Sequence, residues 1–227
     1  ELISTQPACR TFLVTSAVPG EGKSMVVSNL AAAFSRLGRR TLIIDSDLRR
    51  PTQHLLHRSE DDRGLMAWAR AGYPMNNLFG TESPLGIQCL INGAHLIGAG
   101  GEDSQPMAYL IAAQTAVLFE ELKNHYDVIL IDTPPAGLFQ DALVLTRTSG
   151  ETLFVAREAY APLAQIRRAL ADLRKTAAPP LGVILNDFSS STLNPRLAYS
   201  TSYRGYRYRV KPARPAAWKI TKPGALT

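Results

Sequence analysis

The segment Ala17–Ser24 reads AVPGEGKS, with Gly20, Gly22, Lys23 and Ser24 crowded into five positions. It follows the pattern G-x-x-x-x-G-K-[ST], with Ala17 in place of the first glycine. Backbone N–H groups along such a run can cradle phosphate oxygens where a helix begins. The run Gly20, Glu21, Gly22, Lys23, Ser24 and Met25 is therefore the expected nucleotide cradle. Lys23 reaches the β and γ phosphates in this reading, and Ser24 ligates Mg²⁺. A glycine-rich turn with no ligand is the plainer alternative, but the surrounding pattern disfavours it.

Three aspartates stand where such chemistry needs acid. LIIDSD places Asp45 and Asp47 at the end of one apolar run, and VILID places Asp132 at the end of another. If both runs are parallel strands, their carboxyl ends share the edge where ligands bind. Asp132 fits a carboxylate that holds Mg²⁺ directly or through water. Alone, Asp45 and Asp47 read as turn or helix caps. Beside a phosphate loop they are assigned to the metal and to the attacking hydroxyl. Arg49 and Arg50 follow at once, as phosphate or partner contacts or as a solvated basic pair.

These residues need a scaffold, and the pattern supplies one. TFLVTS (11–16), TLIID (41–45), VILID (128–132), TLFVA (152–156) and LGVILN (181–186) are short apolar, β-branched runs. Between them, 23–37 has helical spacing and stops at Gly38, and 105–127, 141–149 and 162–176 also read as helices. Residues 59–104 are rich in Gly, Pro and Asn, and one short helix and one strand are expected there. Alternating strands and helices predict an α/β P-loop fold: a mostly parallel sheet with helices on both faces. Residues 1–187 form the expected domain. Residues 188–227 form a tail without sustained periodicity.

Charge divides at the same boundary. The chain of 227 residues carries a formal net charge of +6. The tail holds eight Lys/Arg and no acid, so the first 187 residues are slightly acidic. The tail also holds four of the eight tyrosines: Tyr199, Tyr203, Tyr206 and Tyr208, in YSTSYRGYRYRV. No nucleic-acid-binding module is recognisable, so an RNA or DNA partner is not expected. Cys9 and Cys89 show no motif spacing, which argues against a metal site. No run is long and apolar enough to span a bilayer. The first residue is Glu1, not Met, as in a piece of a longer polypeptide.

LVTSAVPGEGKS, LIIDSDLRRP, YDVILIDTPP and a terminal tyrosine cluster, in that order, resemble the bacterial tyrosine kinases of capsule and exopolysaccharide systems. The resemblance covers roughly residues 10–210. It implies an ATP- and Mg²⁺-dependent protein-tyrosine kinase acting on protein tyrosines. Lys23, Asp45, Asp47 and Asp132 are its implied catalytic residues, and Ser24, Asp47 and Asp132 its implied metal ligands. Which of Asp45 and Asp47 takes the tyrosine proton is left open. Asn186 falls where related P-loop ATPases keep an adenine neighbour. The tail tyrosines become the implied autophosphorylation sites, reached in trans within a homo-oligomer. A transmembrane polysaccharide co-polymerase segment, fused or separate, is the implied partner. The implied location is the cytoplasmic side of the bacterial inner membrane. Only ELISTQPACR precedes the first strand, so the family's assembly helix is not expected in this chain. The nearest rival is a partitioning-type or regulatory P-loop ATPase. Val18 stands where that class carries its signature lysine.

Overall fold

The computed structural model describes residues 8–187. Seven strands form one sheet: Arg10–Ser16 (β1), Thr41–Asp45 (β2), Gln88–Cys89 (β3), His95–Ile97 (β4), Val128–Asp132 (β5), Glu151–Arg157 (β6) and Pro180–Asn186 (β7). Their order across the sheet is β3-β4-β2-β5-β1-β6-β7. Every pairing is parallel except the short β3–β4 edge.

The central strands are apolar throughout because both faces are covered. Leu13, Leu42, Ile44, Ile129 and Ile131 point into one core, with Trp68, Leu118, Phe119 and Leu173 from the covering helices. Phe12, Val14, Ile43, Val128 and Leu130 point into the other, against Val27 and Ala31. Period-2 alternation therefore survives as a choice between two cores, not between core and water.

The sheet order decides where the acids meet. β5 lies between β1 and β2, so the strand feeding the phosphate loop borders the strand ending in Asp132. Asp132 is register partner to Val14 on one side and to Asp45 on the other. Hydroxyls fix the loop that follows: Thr133 Oγ1 donates to the Val14 carbonyl at 2.9 Å and Thr15 Oγ1 to the Pro134 carbonyl at 2.9 Å.

Lys23–Arg36 (α1) starts at the phosphate loop and ends before Gly38, whose φ of +76° favours glycine. Leu37, the last residue of the expected helical run, is its exposed C-cap. Four other expectations are corrected. The sequence showed no helix after Pro51, yet Gln53–His57 (α2) forms one, capped by Asp45. The 59–104 stretch holds a helix, Leu65–Arg70 (α3), and two strands rather than one.

The helix expected over 105–127 is two helices, Met107–Ile111 (α4) and Ala113–Lys123 (α5), broken at Ala112, whose ψ is 136°. Thr115 Oγ1 donates to the Tyr109 carbonyl at 2.6 Å across the break, replacing a helical partner. Asp141–Leu145 (α6) is shorter than 141–149. Thr146, Thr148 and Ser149 hydroxyls bond back to carbonyls three residues before them and end the helix. Leu163–Leu173 (α7) completes the layer. The tail from 188, with Tyr199, Tyr203, Tyr206 and Tyr208, lies outside the described residues. Among the described residues no helix is long and apolar enough to cross a membrane.

Candidate active site

The phosphate loop leaves β1 and turns through Gly20 and Gly22, at φ +82° and +90°. Both conformations lie in the left-handed region that side chains resist. A Cβ on Gly22 would also collide with the Asn186 amide, and one on Gly20 would lie 2.6 Å from the Tyr160 hydroxyl. Ala17, which replaces the usual first glycine, is fully buried in the core.

Glu21 braces this loop from inside. Its side chain is buried, and one carboxylate oxygen accepts from the N–H groups of Ala17 and Val18 at 2.8 and 2.9 Å. The other accepts from the Arg157 N–H at 3.3 Å. Asn186, at the end of β7, donates its amide to the Glu21 carbonyl at 2.9 Å. The structure thus places Glu21 and Asn186 as supports of the loop's shape. Met25 is half-exposed and lines the cleft above it.

Lys23 is buried at the first turn of α1, close enough to Asp47 and Asp132 to favour their ionised forms. Gln53 joins the parts. Its amide donates to Asp132 Oδ2 at 2.8 Å and to the Ser24 carbonyl at 3.1 Å. Thr52 Oγ1 donates to Ser24 Oγ at 2.7 Å. Nothing in the QHLLH segment of the sequence flagged Gln53. A glutamine that is wholly buried beside a carboxylate is visible only in three dimensions.

The three aspartates have different surroundings. Asp45 is fully buried, and both its oxygens accept backbone N–H groups: Asp47 at 3.2 Å on one, Thr52 and Gln53 at 3.1 and 3.0 Å on the other. Burial, then the Asp132 charge, pushes its pKa up. Asp47 lines the cleft and accepts the Arg50 N–H at 3.0 Å. Burial pushes its carboxyl up to about 6. Asp132 is fully buried and raised by burial, an effect opposed by Lys23, Ser24 and Gln53. Its second oxygen, Oδ1, is buried without a hydrogen-bond partner.

That orphaned oxygen has the chemistry of a hard-cation ligand. An unsatisfied carboxylate oxygen with Ser24 Oγ beside it offers hard oxygen donors. No cluster of three or more His, Cys, Asp or Glu among the described residues could hold a metal. Few protein oxygens, with phosphate and water completing the shell, is the coordination Mg²⁺ favours. The residues present fit it.

Arg49 does not point freely at a ligand. Its guanidinium pairs with the buried Asp141 at 3.0 Å, lies 4.3 Å over the Phe139 ring and bonds the Ser104 carbonyl. It ties the loop after β2 to the loops after β4 and β5. The resulting cleft holds about 850 Å³, within the range of ligand pockets.

Comparison with known proteins follows the same lines. Residues 12–209 match the CobQ/CobB/MinD/ParA nucleotide binding domain family. The chain is 30% identical to the putative tyrosine-protein kinase CapB of Staphylococcus aureus, over 78% of this chain and 75% of that protein. It is 28% identical to the putative tyrosine-protein kinase EpsB of Ralstonia solanacearum, over 86% of this chain but 25% of EpsB. Among solved structures, the kinase domain of Escherichia coli tyrosine kinase ETK matches with a TM-score of 0.72 at 27% identity. That match covers 83% of this chain and 72% of the other.

Proposed function

The chain belongs to the CobQ/CobB/MinD/ParA nucleotide-binding family and, within it, to the bacterial tyrosine kinases, and from this we propose that it transfers the γ-phosphoryl group of ATP to protein tyrosine. The supporting observation is the cleft itself. Lys23, Ser24 and Asp47 line one cavity with an exposed apolar wall, so phosphate donor and aromatic acceptor have adjoining places.

Phosphoryl transfer needs positioning and neutralised charge more than covalent chemistry from the protein. The loop N–H groups and Lys23 hold the phosphates in line. Ser24 and the free oxygen of Asp132 would hold Mg²⁺, which when bound would supply neutralising charge to the phosphates. Asp47 is the base. It lines the cleft, and its raised pKa sits nearer working pH than an ordinary carboxylate. Asp47 accepts the tyrosine proton as the phenolic oxygen forms its bond to the γ-phosphorus. The bond to the β–γ bridging oxygen breaks, and ADP leaves. Asp45, with both oxygens held by backbone N–H groups, positions Asp47 and the start of α2.

The acceptors we propose are the tyrosines Tyr199, Tyr203, Tyr206 and Tyr208 of a neighbouring copy in a homo-oligomer. Twelve residues lie between Asn186 and Tyr199, and the thirteen steps of about 3.3 Å span roughly 40 Å when extended. Each phosphate adds about −1.5 to −2 charges, so four nearly cancel the tail's eight basic residues. The proposed setting is capsule or exopolysaccharide production at the cytoplasmic face of the inner membrane, with a transmembrane co-polymerase segment as partner. ATP turnover tests the kinase reading against a plain ATPase. ADP release that rises with a tyrosine peptide and matches phosphotyrosine formed supports it. Phosphate release with no phosphotyrosine contradicts it.

A further inference from the structure

The cleft has a part that phosphate chemistry leaves unused. Beyond the phosphate loop it is walled by Leu55, Leu56, Leu138 and Phe139. Leu55 is 67% exposed and Leu138 56% exposed. Exposed leucines on two sides of one cleft suit a flat apolar group such as a phenol ring.

An exposed carboxylate borders the same place. The Asp103 N–H donates to the Leu48 carbonyl at 2.8 Å, and the Arg49 guanidinium bonds the Ser104 carbonyl. The loop after β4 is thereby strapped to the Asp47–Arg49 segment, with Glu102 beside the strap. Glu102 lines the cleft together with Asp47. It also lines a neighbouring cavity of about 420 Å³, whose walls include Glu60 and Asp62. Among the described residues, none of these three carboxylates has an ion-pair partner. Asp61 in the same wall is already taken by Arg63 at 2.6 Å.

The chain carries the complementary sequence. Three of its tail tyrosines are followed directly by arginine: Tyr203-Arg204, Tyr206-Arg207 and Tyr208-Arg209. We propose that the cleft is a docking groove for residues 199–210 of this chain and that it selects tyrosine followed by arginine. The phenol ring lies against Leu55 and Leu138 with its hydroxyl toward Asp47. The guanidinium of the next residue meets Glu102, with Glu60 and Asp62 behind it. Neighbouring residues of an extended peptide sit about 3.8 Å apart, so a long arginine side chain suffices to join the two places. Opposite charges at a groove rim select among partners more than they tighten all of them.

This inference rests on the kinase reading, and its test separates the two. The full chain is given ATP, Mg²⁺ and a synthetic peptide YSTSYRGYRYRV, or the same peptide with all three arginines changed to alanine or to glutamate. The native peptide is expected to have a KM about fivefold to tenfold below that of the alanine peptide, with similar kcat. Glu102→Arg is expected to raise the KM of the native peptide and to lower that of the glutamate peptide, with the KM for ATP unchanged. Equal KM values for the three peptides, or discrimination that persists in Glu102→Arg, overturn the proposal and leave the kinase reading standing. Phosphorylation of no peptide by the wild type overturns both.

Discussion

Gln53 donates its side-chain amide to Asp132 at 2.8 Å, and the same nitrogen donates to the Ser24 carbonyl. One side chain from a five-residue helix thus couples the strand-end carboxylate to the phosphate loop. It orients Asp132 so that Oδ2 is hydrogen-bonded while Oδ1 keeps no hydrogen-bond partner.

Replacing Gln53 by leucine removes that donor and leaves both Asp132 oxygens buried without it. Thermal or urea denaturation should show a loss of about 1–3 kcal/mol, the range for a buried polar group losing its partner. The Mg²⁺ concentration needed for half-maximal activity should rise with it. An unchanged Mg²⁺ requirement would mean that Asp132 is oriented by something else.

Asp47 gives a pH signature. Its folded pKa, about 6, lies above the ordinary carboxylate value, so the native state holds that proton more tightly than the unfolded chain. The contribution is fully present below about pH 4 and is lost as pH rises to about 6. Asp47→Asn should therefore be more stable than wild type at pH 7, by roughly 1–3 kcal/mol, and the gap should close near pH 4. The same substitution should lower kcat by about 10²–10⁴-fold. Wild-type activity should fall as pH drops below about 6. Paired urea melts at the two pH values, with rates at pH 7, check the whole set.

Glu21 is a support inside the phosphate loop, so its loss should be felt by the nucleotide. Glu21→Ala strips the acceptor from the buried Ala17 N–H and its Val18 neighbour. Stability should drop by about 1–3 kcal/mol, and affinity for a fluorescent ADP analogue should weaken at least tenfold. Retained affinity would show that the loop keeps its shape without the brace.

Arg49 and Asp141 form a pair whose acid is fully buried. Arg49→Ala alone strands that charge and should cost about 3–5 kcal/mol. Arg49→Met with Asp141→Leu should recover most of the loss. A double-mutant cycle by urea denaturation reads the coupling. Additive losses would contradict the clamp.

Much of the fold and the skeleton of the site can be read in the chain, for identifiable reasons. The phosphate loop and the strands ending in Asp45 and Asp132 are local patterns: apolar runs, a glycine-rich turn, an acid at a strand end. Their meeting is not local. Only the insertion of β5 between β1 and β2 makes Asp45 and Asp132 register partners. The division of labour between Asp45 and Asp47 was likewise invisible. It depends on which oxygens the backbone of α2 claims, and α2 itself sits in QHLLH, five residues too short for a clear period. Gln53 and Asp141 were missed, and Glu21 and Arg49 were named without their bracing roles, because burial gives all four those roles. The break at Ala112 was missed because Thr115 makes it through its side chain.

The most direct measurement is phosphopeptide mapping after incubation of the full chain with ATP and Mg²⁺. The account predicts phosphate on Tyr199, Tyr203, Tyr206 or Tyr208 in the wild type, none in Lys23→Met, and labelling slowed by about 10²–10⁴-fold in Asp47→Asn. It further predicts that mixing Lys23→Met with active wild type labels the tail of the inactive copy. Labelling that survives Lys23→Met alone, or that never reaches the tail, would contradict the account.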